Sequence, residues 1–244
     1  MGRQTRGCAG VVAAVLLLGV GGCGGSGGSG DGKTPGRTAT SAGTAPSAAP
    51  GGAAKTAPGD VLPGMVGAAV ARTQLAALTT GKPGTMAGYS RDKFTHWAEQ
   101  GNKCDTREVV LKRDGRNVTQ DSECRAVSGS WTSLYDGVTV NDASKLDIDH
   151  MVPLAEAWRS GAAQWDAAKR KSFANDLTRP QLLAVSAATN RAKGDQSPDL
   201  WQPPDKSSWC QYGRAWTTVK SHYGLTVTEA ERTMLTTMID TCAA

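Results

Sequence analysis

A change of composition near residue 60 most limits what this chain can fold into. Residues 24–60 consist almost wholly of Gly, Ser, Thr, Ala and Pro and contain no aromatic residue. Such a segment buries too little apolar surface to offset the entropy that is lost on ordering. We therefore expect a disordered tether over residues 24–60 and a compact domain over residues 61–244, which is long enough to build a hydrophobic core.

The first 23 residues have the pattern of an export signal. Arg3 and Arg6 precede the apolar run VVAAVLLLGV, which is too short for a permanent membrane-spanning helix. Small residues then lead to Cys23, as in bacterial lipoprotein signals, where this cysteine becomes the lipidated first residue. The alternative is simple secretion, because GVGG lacks the usual leucine. We expect an exported protein, either secreted or held at the membrane through Cys23.

Four cysteines fall in the predicted domain: Cys104, Cys124, Cys210 and Cys242. Zinc sites use closely spaced pairs, so the wide spacing in an exported chain favours two disulfides. Three pairings are possible. Cys104–Cys124 and Cys210–Cys242 are favoured, because each pair closes a plausible local unit.

Hydrophobic periodicity and turn residues predict an α+β fold. We expect helices at 62–80, 154–165, 167–176, 186–195, 209–224 and 226–242, with strands at 107–113, 117–120, 144–152 and 179–186 and a hairpin at 128–140. The first two strands would form a hairpin through Asp114 and Gly115. Gly161 would break a helix, Ser186 would cap one, and Thr226 or Thr228 would begin the last, with Glu231 completing a capping box.

The stretch DIDHMVPL (147–154) holds one of the 3 histidines of the chain. On a strand, alternation places Asp147 and Asp149 on one face and Ile148 and His150 on the other. A histidine beside a carboxylate can be a surface ion pair, a metal ligand or a general base, and these residues alone leave all three open.

Five motifs, in order and suitably spaced between about Gly88 and Pro204, extend the pattern: GYSRDKF, CDTREVVLKRDG, LDIDHMVPLAEAW, RPQLLAV and TNRAKGD. Together they resemble the HNH endonucleases, in the branch related to the C-terminal domain of GmrSD-type restriction enzymes, common as small exported proteins in actinobacteria. The resemblance implies an α+β fold with a ββα-metal (His-Me finger) core and flanking helices and hairpins.

The resemblance also implies the main site residues. His150 matches the general base, and imidazole suits this role because its pKa is near neutrality. Asp149 and Asn190 match the metal ligands, and their oxygen donors suit Mg²⁺ or Mn²⁺ better than zinc. On an ideal strand Asp149 points away from His150, but in the resemblance the two flank one phosphate, so we expect the end of the strand next to Pro153 to be irregular.

Three further residues take supporting roles in the resemblance. Gln181 stands where many relatives have asparagine and would fix the loop that holds the base. Lys193 would contact a phosphate. Asp195 would hold a metal-bound water or cap the turn.

The expected function is metal-dependent hydrolysis of nucleic acid outside the cytoplasm, with DNA favoured over RNA. No helix-turn-helix or zinc finger is recognisable, so sequence specificity should be low. The net charge of +5, about +3 without Arg3 and Arg6, is compatible with a polyanionic substrate but does not identify one. We expect a monomer without a protein partner. The alternatives are an inactive HNH scaffold that binds as a surface lipoprotein, and a purely structural lipoprotein.

Overall fold

The computed structural model describes residues 62–243, so the predicted signal segment (1–23) and tether (24–60) lie outside the described residues. Within this range the elements are α1 (Ala68–Ala77), α2 (Thr106–Asp114), β1 (Arg116–Gln120), β2 (Ala126–Thr132), β3 (Thr139–Val140), β4 (Leu146–His150), α3 (Leu154–Arg159), α4 (Ala167–Ala174), β5 (Leu182–Ser186), α5 (Ala187–Lys193), α6 (Trp209–Tyr223) and α7 (Glu229–Asp240). The combination of helices with small antiparallel sheets is compatible with the predicted α+β class.

The strands form two small antiparallel sheets, one of β1, β2 and β3 and one of β4 and β5. In the second sheet the register is regular along the whole of β4, from Leu146 opposite Ser186 to His150 opposite Leu182. Helix α5 follows β5 directly and packs on both strands. The sheet and this helix therefore make a compact ββα unit.

The β4–β5 sheet lies between two hydrophobic clusters. Leu183 and Val185 belong to a large cluster with the helices α1, α3, α4, α6 and α7, whereas Leu182 and Ala184 belong to a smaller one with α2, β1 and β2. Because β5 is buried on both faces, its sequence is an uninterrupted apolar run instead of an alternating one.

Residues 107–113, which we predicted as a strand, lie in the helix α2, so the predicted hairpin with 117–120 is wrong. Strand β1 pairs with β2 instead. The β-branched residues favoured a strand, but Asp105 caps a helix by accepting a hydrogen bond from the backbone N–H of Glu108 at 2.9 Å. Helix α2 also protects the free edge of β5, because Arg113 donates to the Leu182 carbonyl and Asp114 accepts from the Ala184 N–H.

Local sequence signals correctly predicted several other features. Hairpin β2–β3 turns through Asp136 and Gly137, and Gly161, at φ 134°, separates the helices as predicted. Thr228 and Glu231 form the predicted capping box of α7. Ser186 occupies the N-cap position of α5, but its hydroxyl makes no capping bond and donates to Asp136 instead.

Both predicted disulfides are present. Cys104–Cys124 has a Cα–Cα distance of 5.1 Å and joins the segment before α2 to the β1–β2 turn. Cys210–Cys242 has a Cα–Cα distance of 4.9 Å and joins the start of α6 to the segment after α7. Among the helices of residues 62–243, none is long and apolar enough to cross a membrane.

Candidate active site

An open cleft of about 330 Å³ lies at the end of β4. Four predicted site residues line it: Asp149, His150, Asn190 and Asp195. Gln181 and Lys193 do not line this cleft, and both are fully buried. The structure therefore brings four of the six together at one opening and places the other two behind it.

The imidazole of His150 is held in one orientation. Its Nε2 lies 2.9 Å from the backbone carbonyl of Ala174, which can only accept, so Nε2 carries the proton and Nδ1 has the lone pair. Nδ1 makes no hydrogen bond with the rest of residues 62–243. Burial lowers the pKa of His150 to about 3, so the ring is neutral near pH 7 and Nδ1 keeps its lone pair. A pKa this far below neutrality makes the buried imidazole a weaker base than the near-neutral histidine that the sequence led us to expect.

Gln181 holds the loop that follows His150. Its side chain accepts from the Val152 N–H at 3.1 Å and donates to the Val152 carbonyl at 3.0 Å. Its own carbonyl accepts from the Met151 N–H at 2.7 Å. These are contacts that a loop-fixing residue would make, and its contribution to catalysis stays a prediction.

Asp149 and Lys193 form a buried ion pair. The Lys193 ammonium lies 2.8 Å from Asp149 Oδ2 and donates to Oδ1 at 3.1 Å and to the His150 carbonyl at 2.9 Å. Tyr135 donates a third hydrogen bond to Asp149 at 2.5 Å. Burial raises the pKa of Asp149 and lowers that of Lys193. Since the ammonium is buried, the structure differs from our expectation that Lys193 contacts a phosphate.

Strand β4 stays regular through His150, contrary to the irregular end that we expected. Asp149 consequently faces the large cluster, which contains Tyr135, whereas His150 faces the small cluster, in which Trp97 lies 5.8 Å from its ring. The two side chains leave the strand on opposite faces, and they share the cleft because it opens at the end of the strand.

Asn190 contacts the other aspartate of the motif. Its amide donates to Asp147 Oδ2 at 3.2 Å, and Arg191 lies 3.9 Å from the same oxygen. Because the amide nitrogen of Asn190 makes this bond, its carbonyl oxygen remains as a donor atom for a cation. Asp147, which we expected only to orient the strand or meet solvent, thus orients Asn190.

Asp195 is held by Arg159, a residue to which the motifs assigned no role. Arg159 donates to Asp195 Oδ2 at 2.8 Å and to the Asp195 carbonyl, and it also pairs with Glu156 at 3.1 Å. Asp195 is therefore tied to α3 through an ion pair, and the two roles that we expected for it, holding a metal-bound water or capping the turn, stay predictions.

Sequence reasoning also missed Tyr89 and Arg91, which line the same cleft. Both belong to the motif GYSRDKF, which contributed to the family resemblance without indicating a chemical role for either residue. Only the tertiary structure shows that a segment about sixty residues before His150 reaches the same opening.

The donor atoms at the cleft fit a hard divalent cation, since Asp149, Asn190 and Asp195 offer oxygens only. Two of them are already paired, Asp149 with Lys193 and Asp195 with Arg159, so a cation would compete with these ammonium and guanidinium groups. Among residues 62–243 there is no group of three or more His, Cys, Asp or Glu side chains placed to hold a metal.

Comparison with known proteins supports the resemblance. The family described as GmrSD restriction endonucleases, C-terminal domain, matches residues 105–238. An uncharacterized secreted protein of Arthroderma benhamiae is 53% identical over 189 residues, which cover 78% of this chain and 93% of that protein. No solved structure matches. The matched segment contains all six predicted site residues and is more than half of the chain, so this protein belongs to the GmrSD C-terminal domain family, a nuclease-related family.

Proposed function

We propose that the protein is an extracytoplasmic, metal-dependent HNH endonuclease that hydrolyses phosphodiester bonds of nucleic acid, with DNA the expected substrate and low sequence specificity. In this proposal β4, β5 and α5 are the ββα-metal core. The observation that carries it is the state of His150: a neutral imidazole at an open cleft, whose Nε2–H is bound by Ala174 and whose Nδ1 has no partner within residues 62–243.

Each of these side chains has its own role in the proposed mechanism. His150 accepts at Nδ1 the proton of the water that attacks phosphorus, while its bond to Ala174 keeps the ring oriented. Gln181 keeps the loop after His150 in place. Asp149 and Asn190 would hold Mg²⁺ or Mn²⁺, with Asp195 available for a bound water. When bound, such an ion supplies charge neutralisation at the phosphate and at the leaving oxygen.

The test is incubation of the purified domain with plasmid in Mg²⁺, Mn²⁺ or EDTA, beside His150→Ala and the matched control His96→Ala. Wild type and His96→Ala should nick the plasmid with metal and not with EDTA, whereas His150→Ala should nick it about 10²- to 10⁴-fold more slowly. Equal cleavage by wild type and His150→Ala would place the active site elsewhere and refute the proposal.

Export is the second part of the proposal. The Arthroderma benhamiae relative is described as secreted, and the first 23 residues have a lipoprotein-type pattern ending at Cys23. Replacing Cys23 by Ser should move the protein from the membrane fraction to the medium. If wild type is wholly soluble and is unlipidated by mass spectrometry, lipid anchoring is excluded and simple secretion is the remaining route.

A second candidate is a catalytically inactive HNH scaffold that binds nucleic acid at the cell surface. The buried pair of Asp149 and Lys193 favours it, because the charge of the expected metal ligand is already compensated. The two candidates differ in one result: the inactive scaffold binds DNA but leaves the plasmid intact with every metal.

A further inference from the structure

Tyr89, two residues before the short 3₁₀ helix Arg91–Lys93, and Arg91, the first residue of that helix, both line the cleft. The Tyr89 hydroxyl and the Arg91 guanidinium line the cleft, and neither group makes a hydrogen bond or ion pair with the described part of the chain. Arg91 is exposed and Tyr89 is half-buried. An unpaired arginine beside an unpaired phenol is an arrangement suited to an anionic ligand.

The backbone of this segment is nevertheless held firmly. Ser90 caps the 3₁₀ helix by accepting from the Asp92 N–H at 3.3 Å. The Tyr89 ring packs edge-on against Trp158, with centroids 5.8 Å apart, and also contacts Phe94. The two polar groups therefore project from an ordered support, which limits the entropy that is lost when a ligand binds.

Electrostatics connect this segment to His150. The main cause of the low pKa of His150 is burial, and the positive charge of Arg91 lowers it further. The same guanidinium opposes the rise that burial produces in the pKa of Tyr89. Arg91 thus lies within electrostatic reach of both the imidazole and the phenol, in keeping with the one cleft that all three residues line.

Two of the other three cations near the site are already engaged. Lys193 is buried against Asp149, Arg159 pairs with Glu156 and Asp195, and Arg191 lies near Asp147. Arg91 has no acidic partner within the described part of the chain, so its five N–H donors remain available in a planar fork that matches two phosphate oxygens.

We propose that Tyr89 and Arg91 form an anion-binding arm that holds the nucleic-acid phosphate beside His150. Arg91 would bind two phosphate oxygens through its fork, and Tyr89 would donate a single neutral hydrogen bond. This inference rests on the proposed nuclease function and adds to it the residues that hold the substrate.

The experiment measures binding apart from cleavage. A short fluorescein-labelled DNA duplex is titrated in EDTA, by fluorescence anisotropy, over a series of NaCl concentrations. The proteins are wild type, Arg91→Gln, Arg91→Lys, Tyr89→Phe and the control Lys145→Gln, which removes one exposed positive charge at the opposite end of β4. Plasmid cleavage in metal is measured in parallel.

Arg91→Gln should weaken binding about 10- to 100-fold, as expected for loss of charge-assisted bonds. It should also reduce the slope of log affinity against log salt by about one, because one phosphate contact is lost. Arg91→Lys should keep the slope but not the full affinity. Tyr89→Phe should cost about 2- to 10-fold with an unchanged slope, because the lost group is neutral. Lys145→Gln should resemble wild type.

Three results would overturn the inference. If wild type cleaves plasmid and Arg91→Gln binds with wild-type affinity and slope, the arm is wrong and the nuclease function stands. If Arg91→Gln and Lys145→Gln weaken binding equally, the effect is general charge and no phosphate is held at the arm. If wild type neither binds nor cleaves, the proposed function and the arm fail together.

Discussion

Replacing Lys193 by Met tests whether this lysine supports the site or contacts the substrate. Methionine keeps the length and apolar body of the side chain but removes the ammonium. Asp149 would then be a buried carboxylate whose remaining described partner is the Tyr135 hydroxyl, and the His150 carbonyl would lose its bond from the ammonium.

The expected cost follows from this burial. Lys193 has an exposed fraction of 0% and Asp149 of 5%, so water cannot replace the lost partner. Removing one member of such a pair costs about 3–5 kcal/mol. For a domain of this size, each kcal/mol lowers Tm by about 2–4 °C, so we expect Tm to fall by roughly 6–20 °C. Adding Asp149→Asn should recover part of the loss, because the uncompensated charge disappears while Tyr135 keeps an acceptor.

The assay is urea unfolding followed by circular dichroism, beside the exposed control Lys145→Met, which should unfold within about 0.5 kcal/mol of wild type. Plasmid cleavage is measured on the same samples, well below the unfolding transition. A Lys193→Met protein that is as stable as wild type but inactive would contradict a supporting role. Lys193 would then be free to contact the phosphate, as the sequence motif first indicated.

Three other predictions follow from the site. His150→Ala should lose about two to four orders of magnitude in rate with unchanged Mn²⁺ affinity by calorimetry, whereas Asn190→Ala should weaken Mn²⁺ binding, and the reverse pattern would exchange their roles. Gln181→Leu should lower the free energy of unfolding in urea by about 1–3 kcal/mol, because it leaves the buried polar groups of Val152 unpaired. Gln181→Asn should lower it by less, and an equal decrease for the two variants would refute the loop contact. Because the pKa of His150 is about 3 in the folded protein, against an ordinary histidine value of 6.5 in the unfolded chain, the unfolded chain binds the proton first as the pH falls. The contribution of His150 to the free energy of unfolding is therefore complete above pH 6.5 and is lost toward pH 3, by at most about 1.4 kcal/mol per pH unit. His150→Gln should remove this pH dependence and His96→Gln should not. Identical pH profiles of unfolding for wild type and His150→Gln would contradict the burial of a neutral ring.

The features that the sequence predicted well depend on neighbouring residues. A capping box needs only Thr228 and Glu231, three positions apart, and the break at Gly161 needs one residue that tolerates a positive φ. Helix α2 shows the limit of such reasoning. Its valines favour a strand, while the cap at Asp105 and the packing of α2 on β5 favour a helix, and only the packing decides.

The site residues were predictable as a set, but their partners were not. The motif order brings Asp149, His150 and Asn190 to one cleft. The ammonium that pairs with Asp149 belongs to Lys193, 44 residues later in the chain. The phosphate contact that we expected of Lys193 required an exposed side chain. Whether a lysine on a short helix faces solvent or the interior depends on how that helix docks on the sheet.

The register of β4 explains why neighbouring residues have such different surroundings. Asp149 lies opposite Leu183 and His150 opposite Leu182, so each shares a face with a residue of a different hydrophobic cluster. On the first face the carboxylate meets Lys193, and on the second the imidazole is desolvated and stays neutral. A slip of one residue would exchange the two faces, placing the imidazole beside the ammonium and the carboxylate in an apolar cluster without a cation. The base and the carboxylate therefore depend on the same β4–β5 register. Helix α2 binds the other edge of β5 through Arg113 and Asp114.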